Sequence, residues 1–177
     1  MICARLPSPL SAPLFAALLF ALNPPGLAFD EEEEGPWQEK SIALPAAPQT
    51  ANRQSFYVSS GTHNQFFIDT ASLSVDADGV VRYILIIETA GGAHNVSYEG
   101  IRCKSGERRI YATGRPDGQW TPSRNPSWKK ISNNPVNRQH AALYDEHFCP
   151  GGVIARNREL VLNSLRSGPR HPDRIYY

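Results

Sequence analysis

A chain of 177 residues, 41% of them hydrophobic, holds enough apolar material for one core and too little for two comfortable ones. Its formal charge of +1 lacks the strongly basic balance of a nucleic-acid binder, so no nucleic-acid partner is expected.

The first 28 residues read as an export signal. Arg5 supplies the positive flank, residues 14–22 (LFAALLFAL) the apolar stretch, and residues 23–28 (NPPGLA) the small residues that a signal peptidase reads, which places the cut after Ala28. A membrane anchor is the competing reading. Spanning the hydrocarbon takes about 20 apolar residues, and this run is less than half that, with Pro13 before it and Pro24-Pro25 behind. Cys3 lies ahead of the apolar stretch, where lipoprotein processing does not use it. The expected mature chain is exported and has no transmembrane anchor. Removing the leader leaves as many basic as acidic residues and two cysteines, Cys103 and Cys149. An even pair of thiols in an oxidising compartment is expected to join. Two buried free thiols are the alternative, and a Cys-x-x-Cys redox motif is absent.

Residues 29–53 open on DEEEE and continue with Pro36, Pro45 and Pro48, a composition that reads as an acidic, flexible lead with Trp37, Ile42 and Leu44 as its anchoring points. Residues 54–152 form a single β-rich domain. Turn signals at Asp78-Gly79, Gly91-Gly92, Ser105-Gly106 and Asp117-Gly118 predict an antiparallel meander with strands over 56–59, 65–69, 80–89, 94–103 and 108–114 and a shorter one near Trp120. Residues 80–87 (VVRYILII) are apolar on both faces apart from Arg82, which marks a central strand covered twice, with helix as the best candidate for the second cover. In the next strand, strict alternation would bury Glu99 beside the disulfide. A bulge at Gly100 would avoid that cost and let Glu99 and Arg102 face out. Residues 138–148 (RQHAALYDEHF) have the composition of a short helix that Pro150 ends. Residues 153–177 contribute a second amphipathic helix, with Val161 and Leu165 inward, and a basic tail with little to pack. The expected fold is α+β, mainly β: an antiparallel meander sheet with a C-terminal helix tied to it by the disulfide.

Chemistry-bearing patterns are sparse. His140 and His147 are weak metal candidates, because the His-Glu-x-x-His spacing of a metalloprotease helix is missing. No nucleophile elbow or phosphate-cradling glycine loop occurs, and no cofactor is expected. Glu99 with Asp69 could form an acid and base pair, a coincidence common in β domains of this size. Asn95-Val96-Ser97 is a formal glycosylation acceptor that matters only in a eukaryotic secretory path. Residues 100–138 concentrate basic side chains against only Glu107 and Asp117, with Tyr111, Trp120 and Trp128 interleaved. Arg109, Arg115, Trp120, Arg124, Trp128, Lys129 and Lys130 form a candidate binding band for a polyanion or saccharide. The plainer reading has the tryptophans closing the core and the arginines solvating the outer face. A third has the acidic lead folding back to mask the band.

The run Val80-Val81-Arg82-Tyr83, then NVSYEGIRC over 95–103, Arg109-Ile110-Tyr111-Ala112, the Gly-x-Trp of 118–120 and the Cys149-Pro150 pair together resemble the cryptic neisserial protein-like family of bacterial envelope proteins. The resemblance runs from about Phe29 to Gly152. It implies the periplasm of a Gram-negative bacterium and transfers no catalytic residues. The layout is also loosely similar to surface adhesins of the protein E type, in which a sheet is tied by a disulfide to a C-terminal helix. The function expected first is a non-enzymatic envelope binding module whose partner is an envelope protein or a polyanionic or saccharide ligand. The alternatives are a periplasmic hydrolase or metal-dependent enzyme using His140 or His147, and a surface adhesin. Mass measurement on protein recovered from the cell envelope is expected to give a chain that starts at Phe29, with both sulfurs resistant to alkylation until reduced.

Overall fold

The computed structural model describes residues 35–168. The proposed leader, the DEEEE run and the end of the basic tail lie outside the described residues. A short 3-10 turn at Thr50–Asn52 leads into β1 (Arg53–Ser55), β2 (Gln65–Val75), β3 (Val80–Glu88), β4 (His94–Arg102), β5 (Glu107–Gly114), β6 (Trp120–Pro122) and β7 (Lys129–Lys130). Every pairing is antiparallel and follows chain order from β1 to β6, and β7 shares the outer edge of β5 with β6. Helix α1 (Arg138–Ala142) widens into a π-helical turn over Leu143–Phe148, and α2 spans Arg158–Ser167. This is the disulfide-tied meander with C-terminal helices that the sequence predicts. Two strands differ from that reading by more than one residue, and β7 is an additional strand. The first strand lies earlier, at Arg53–Ser55. After Phe56 N–H donates to Phe66 O at 3.1 Å, the chain leaves the sheet so that Phe56 and Val58 can turn into the core. The second strand runs on to Val75 through an irregularity between Asp69 and Ser74.

β3 shows why the sheet needs two covers. Val80, Val81, Ile84, Leu85 and Ile86 are all at most 1% exposed, and each fully buried aliphatic side chain stabilises by about 1.5–3 kcal/mol. Val81, Tyr83 and Leu85 meet Ile101, Leu143, Phe148, Val161, Leu162 and Leu165 on the helix face. Ile84 and Ile86 point the other way and pack with Tyr98, Tyr111, Ile42 and Trp120. The cover on that second face is not helical. It is an extended strap, residues 37–48, held by Trp37 Nε1–H donating to Asp78 O at 2.7 Å, Lys40 N–H to Asp78 Oδ2 at 2.9 Å and Trp120 Nε1–H to Pro45 O at 2.7 Å. Trp37 and Ile42 are half-buried in it, whereas Leu44 is exposed.

On the helix face, α2 begins where Asn157 accepts the N–H of Leu160, a side-chain cap worth about 1 kcal/mol. Its Val161, Leu162 and Leu165 are buried, as the spacing requires. The π-helical turn ends at Cys149, whose bond to Cys103 joins the helix layer to the end of β4 across a Cα separation of 5.4 Å. A loop of 46 positions closed in this way removes unfolded-chain entropy worth roughly 4 kcal/mol at most. The Cys103→Ser, Cys149→Ser double variant is therefore expected to lose about 2–4 kcal/mol in a denaturant titration. A loss under about 1 kcal/mol would show that the apolar contacts alone hold the helices on the sheet.

Candidate functional site

The strand β4 keeps strict alternation, and this overturns the expectation that Glu99 escapes burial through a bulge at Gly100. The pairing of β3 with β4 is continuous from Val80↔Arg102 to Glu88↔His94. The irregularity lies one strand over: Tyr98 faces Ala112 and Glu99 faces Ile110, so Tyr111 is the extra residue and β5 carries the bulge. Gly100 serves a different purpose. A Cβ there would come within 2.5 Å of Tyr111 Oη and 3.0 Å of Val80 Cγ1, so the glycine makes room for the bulged tyrosine.

Glu99 is consequently 2% exposed, beneath α1. His140 Nε2 lies 2.7 Å from Glu99 Oε2, Tyr83 Oη–H donates to the same oxygen at 3.1 Å, and Ser97 Oγ–H donates to Oε1 at 2.6 Å. Burial pushes the Glu99 carboxyl up, but His140, the Ser97 hydroxyl and Arg108 together bring it below its usual value. Burial and the adjacent Glu99 charge push the Tyr83 phenol well up. The arrangement has the parts of an acid and base pair, but His140 is 3% exposed and neither residue lines any of the three cavities described below. Its chemistry is that of a polar rivet between β4 and α1. The other candidate histidine, His147, is 2% exposed and lies at the far end of the π-helical turn, where its Nδ1 meets Ser164 Oγ of α2 at 3.0 Å. The fold therefore sends the two rings to different partners, and among the described residues no three His, Cys, Asp or Glu side chains converge as a metal site.

His140→Ala would leave the carboxylate buried with its main partner gone, and should cost about 3–5 kcal/mol. The pH dependence has a definite sign. Because the folded value of Glu99 is lowered, its stabilisation is fully present above the ordinary carboxyl value near 4.5 and is lost as pH falls through the folded value. Glu99→Gln should flatten that acid limb in unfolding curves recorded from pH 6 downward, and an unchanged limb would remove Glu99 from the balance.

The strap face carries a second polar network. Arg82, 1% exposed, donates Nη1–H to Asp76 Oδ2 at 2.8 Å and Nη2–H to Asp78 Oδ2 at 2.6 Å, and its Nη2 lies 3.6 Å from Glu39 of the strap. Burial pushes both aspartates up, but hydrogen bonds from Arg82 and Lys40 bring them below the usual carboxylate range. Glu39 also accepts from Arg109 Nη1, from Tyr111 Oη at 2.7 Å and from Trp128 Nε1 at 3.2 Å. The Arg102 guanidinium lies 3.8 Å over the Trp37 ring, which meets Trp128 edge-on.

The structure divides the predicted band into three parts. Arg109 and Trp128 turn inward to Glu39 of the strap. Lys129 and Lys130 sit exposed on β7, where Lys130 Nζ donates to Ser105 O at 2.6 Å, and Arg124 is exposed in the loop before it. Arg115 and Trp120 come together in a cleft of about 430 Å³, which Arg53, His94, Val96 and Pro48 also line. Arg53 pairs with Glu88 and Arg115 with Asp117 at the rim. Gly114 belongs to the same wall: a Cβ there would meet Val96 Cγ1 at 2.9 Å and Trp120 Cζ3 at 3.5 Å. Sequence reasoning missed Arg53 and Glu39, since nothing in their neighbours marks them and each acts through strands or loops remote in the chain.

The sequence profile of the CNP1-like family matches residues 32–166. The chain is similar to Cryptic neisserial protein 1 of Neisseria gonorrhoeae, 29% identical over 142 residues, covering 71% of this chain and 70% of that protein. No solved structure matches it. Among the described residues no helix is long and apolar enough to cross a membrane. A profile that matches most of the chain, with the related neisserial protein beside it, shows that this chain belongs to the CNP1-like family.

Proposed function

We propose that this protein is exported, loses its leader after Ala28, and acts in the envelope of a Gram-negative bacterium as a non-enzymatic binding module. The observation that carries the reading is the cleft at Trp120. It combines an indole, the apolar surfaces of Val96 and Pro48, and the cationic groups of Arg53 and Arg115 in about 430 Å³ of open space. An aromatic wall beside guanidinium groups suits a ligand with a flat, weakly polar ring face and negative substituents, which points to an anionic saccharide. A leader-like start and the similarity to a protein of Neisseria support the location. Burial of the Glu99–His140 pair favours binding over hydrolysis, because no substrate atom can reach an imidazole that is 3% exposed without moving α1.

The test uses heparin hexasaccharide as the anionic probe and a neutral maltohexaose as its control, followed by tryptophan fluorescence. The hexasaccharide is expected to bind, with affinity falling as salt rises, and the neutral chain is not. Arg115→Glu, at a side chain 59% exposed, should weaken binding by about tenfold, and Trp120→Ala by at least as much. Equal binding in Arg115→Glu, or equal binding of the two probes, would reject the cleft as the site.

A further inference from the structure

Two cavities open beside the chain that joins β1 to β2. One, of about 260 Å³, is lined by Arg138, Asn64, Asn95 and Thr62 over a floor that includes Val58 and Phe66. The other, of about 280 Å³, adjoins it, because both are bounded by Val58, Ser59, Thr62, Asn64 and Phe66, and it runs on past Tyr57. Together they form a groove: the first lies on the opposite side of the sheet from the Trp120 cleft, and the second continues it around the outer edge of β1 and β2, past Ser55 and Phe67. The β3–β4 hairpin separates this groove from the cleft: Asn95 faces the groove, while its neighbours His94 and Val96 face the cleft.

Arg138 sets this groove apart. Its Nη1–H donates to Ser59 Oγ at 3.3 Å, and among the described residues no carboxylate forms an ion pair with it. The arginines of the Trp120 cleft, by contrast, each face a carboxylate of the chain itself. A guanidinium drawn partly out of water with no counter-ion is set to accept one from a ligand, and its fork of N–H donors fits a carboxylate. Amide groups of Asn64 and Asn95 and the Thr62 hydroxyl surround it, a donor and acceptor set suited to sugar hydroxyls above an apolar floor. The volume suits a single ring. Tyr57, a large aromatic left 43% exposed at the far end, offers a stacking surface for the next ring.

We propose that this groove is a second binding site, independent of the Trp120 cleft, for a short acidic oligosaccharide, with the carboxylate of one uronic acid unit on Arg138 and the neighbouring ring on Tyr57. The experiment is an NMR titration of the whole mature chain with trigalacturonate, with monomeric galacturonate, with neutral maltotriose and with a triaspartate peptide. Trigalacturonate should move the amide signals of Asn64, Asn95 and Arg138, and Arg138→Met should weaken it by about tenfold. Tyr57→Ala should weaken the trimer and leave the monomer unchanged, and Trp120→Ala should alter neither. If Arg138→Met does not fold, Asn95→Ala, at an exposed position, should still weaken binding by about threefold. The proposal is overturned if trigalacturonate moves none of these signals, if it binds the Arg138 or Asn95 variant undiminished, or if maltotriose or the peptide binds as tightly. Because Trp120→Ala is silent here, failure of this groove and failure of the Trp120 cleft are separate results.

Discussion

A central strand that is apolar on both faces can exist in water only if something lies against each of them. β3 imposes that requirement on the whole molecule. The helix layer, with its disulfide, answers it on one side, and the strap answers it on the other. The two covers differ in kind. The helices bring Leu143, Phe148, Val161 and Leu165 and bury a continuous apolar cluster. The strap brings Ile42 and the half-buried Trp37 ring, which packs on Arg102 and Trp128, and is otherwise held by hydrogen bonds, above all those converging on Glu39.

Each face also contains a charge that an apolar core would ordinarily reject, and each solves it by local pairing. Glu99 is tolerated because His140, Tyr83 and Ser97 satisfy its oxygens. Arg82 is tolerated because Asp76, Asp78 and Glu39 surround its guanidinium. Such networks are costly to break one member at a time, because the partner left behind is an uncompensated buried charge. They fix which residue of α1 sits over β4 and which residue of the strap sits over β3. The open clefts lie away from both networks, at the end of the sheet near the β3–β4 hairpin.

How far the chain could be read in advance follows from the reach of each interaction. The strand β3 was legible in VVRYILII, because burial on both faces leaves a local, contiguous trace. The cysteine pairing was legible because only two sulfurs survive the expected cut. Glu99 was misread because its acceptability depends on His140, 41 positions away, and the cost of burying a lone carboxylate is a sound argument only when the carboxylate is alone. Gly100 misled for a related reason: it looks like a bulge, yet it is a gap cut for Tyr111 on the neighbouring strand. Of the basic and aromatic band, composition located the region but could not tell inward from outward. Arg109 and Trp128 meet Glu39 across 70 and 89 positions, while Arg115 keeps its exposure.

Those long reaches bear on how the chain acquires its shape. Trp128 closes on Glu39 across 89 positions and Arg158 of α2 on Thr70 across 88. Contacts so distant in sequence form slowly, because loop closure must precede any gain from them. The meander can collapse early through its hairpins, but the helix face is not shut until α2 docks on it. Until that step, Val81, Tyr83 and Leu85 of β3 lack part of their cover on the helix face, so the partly folded chain presents an apolar sheet surface to solvent.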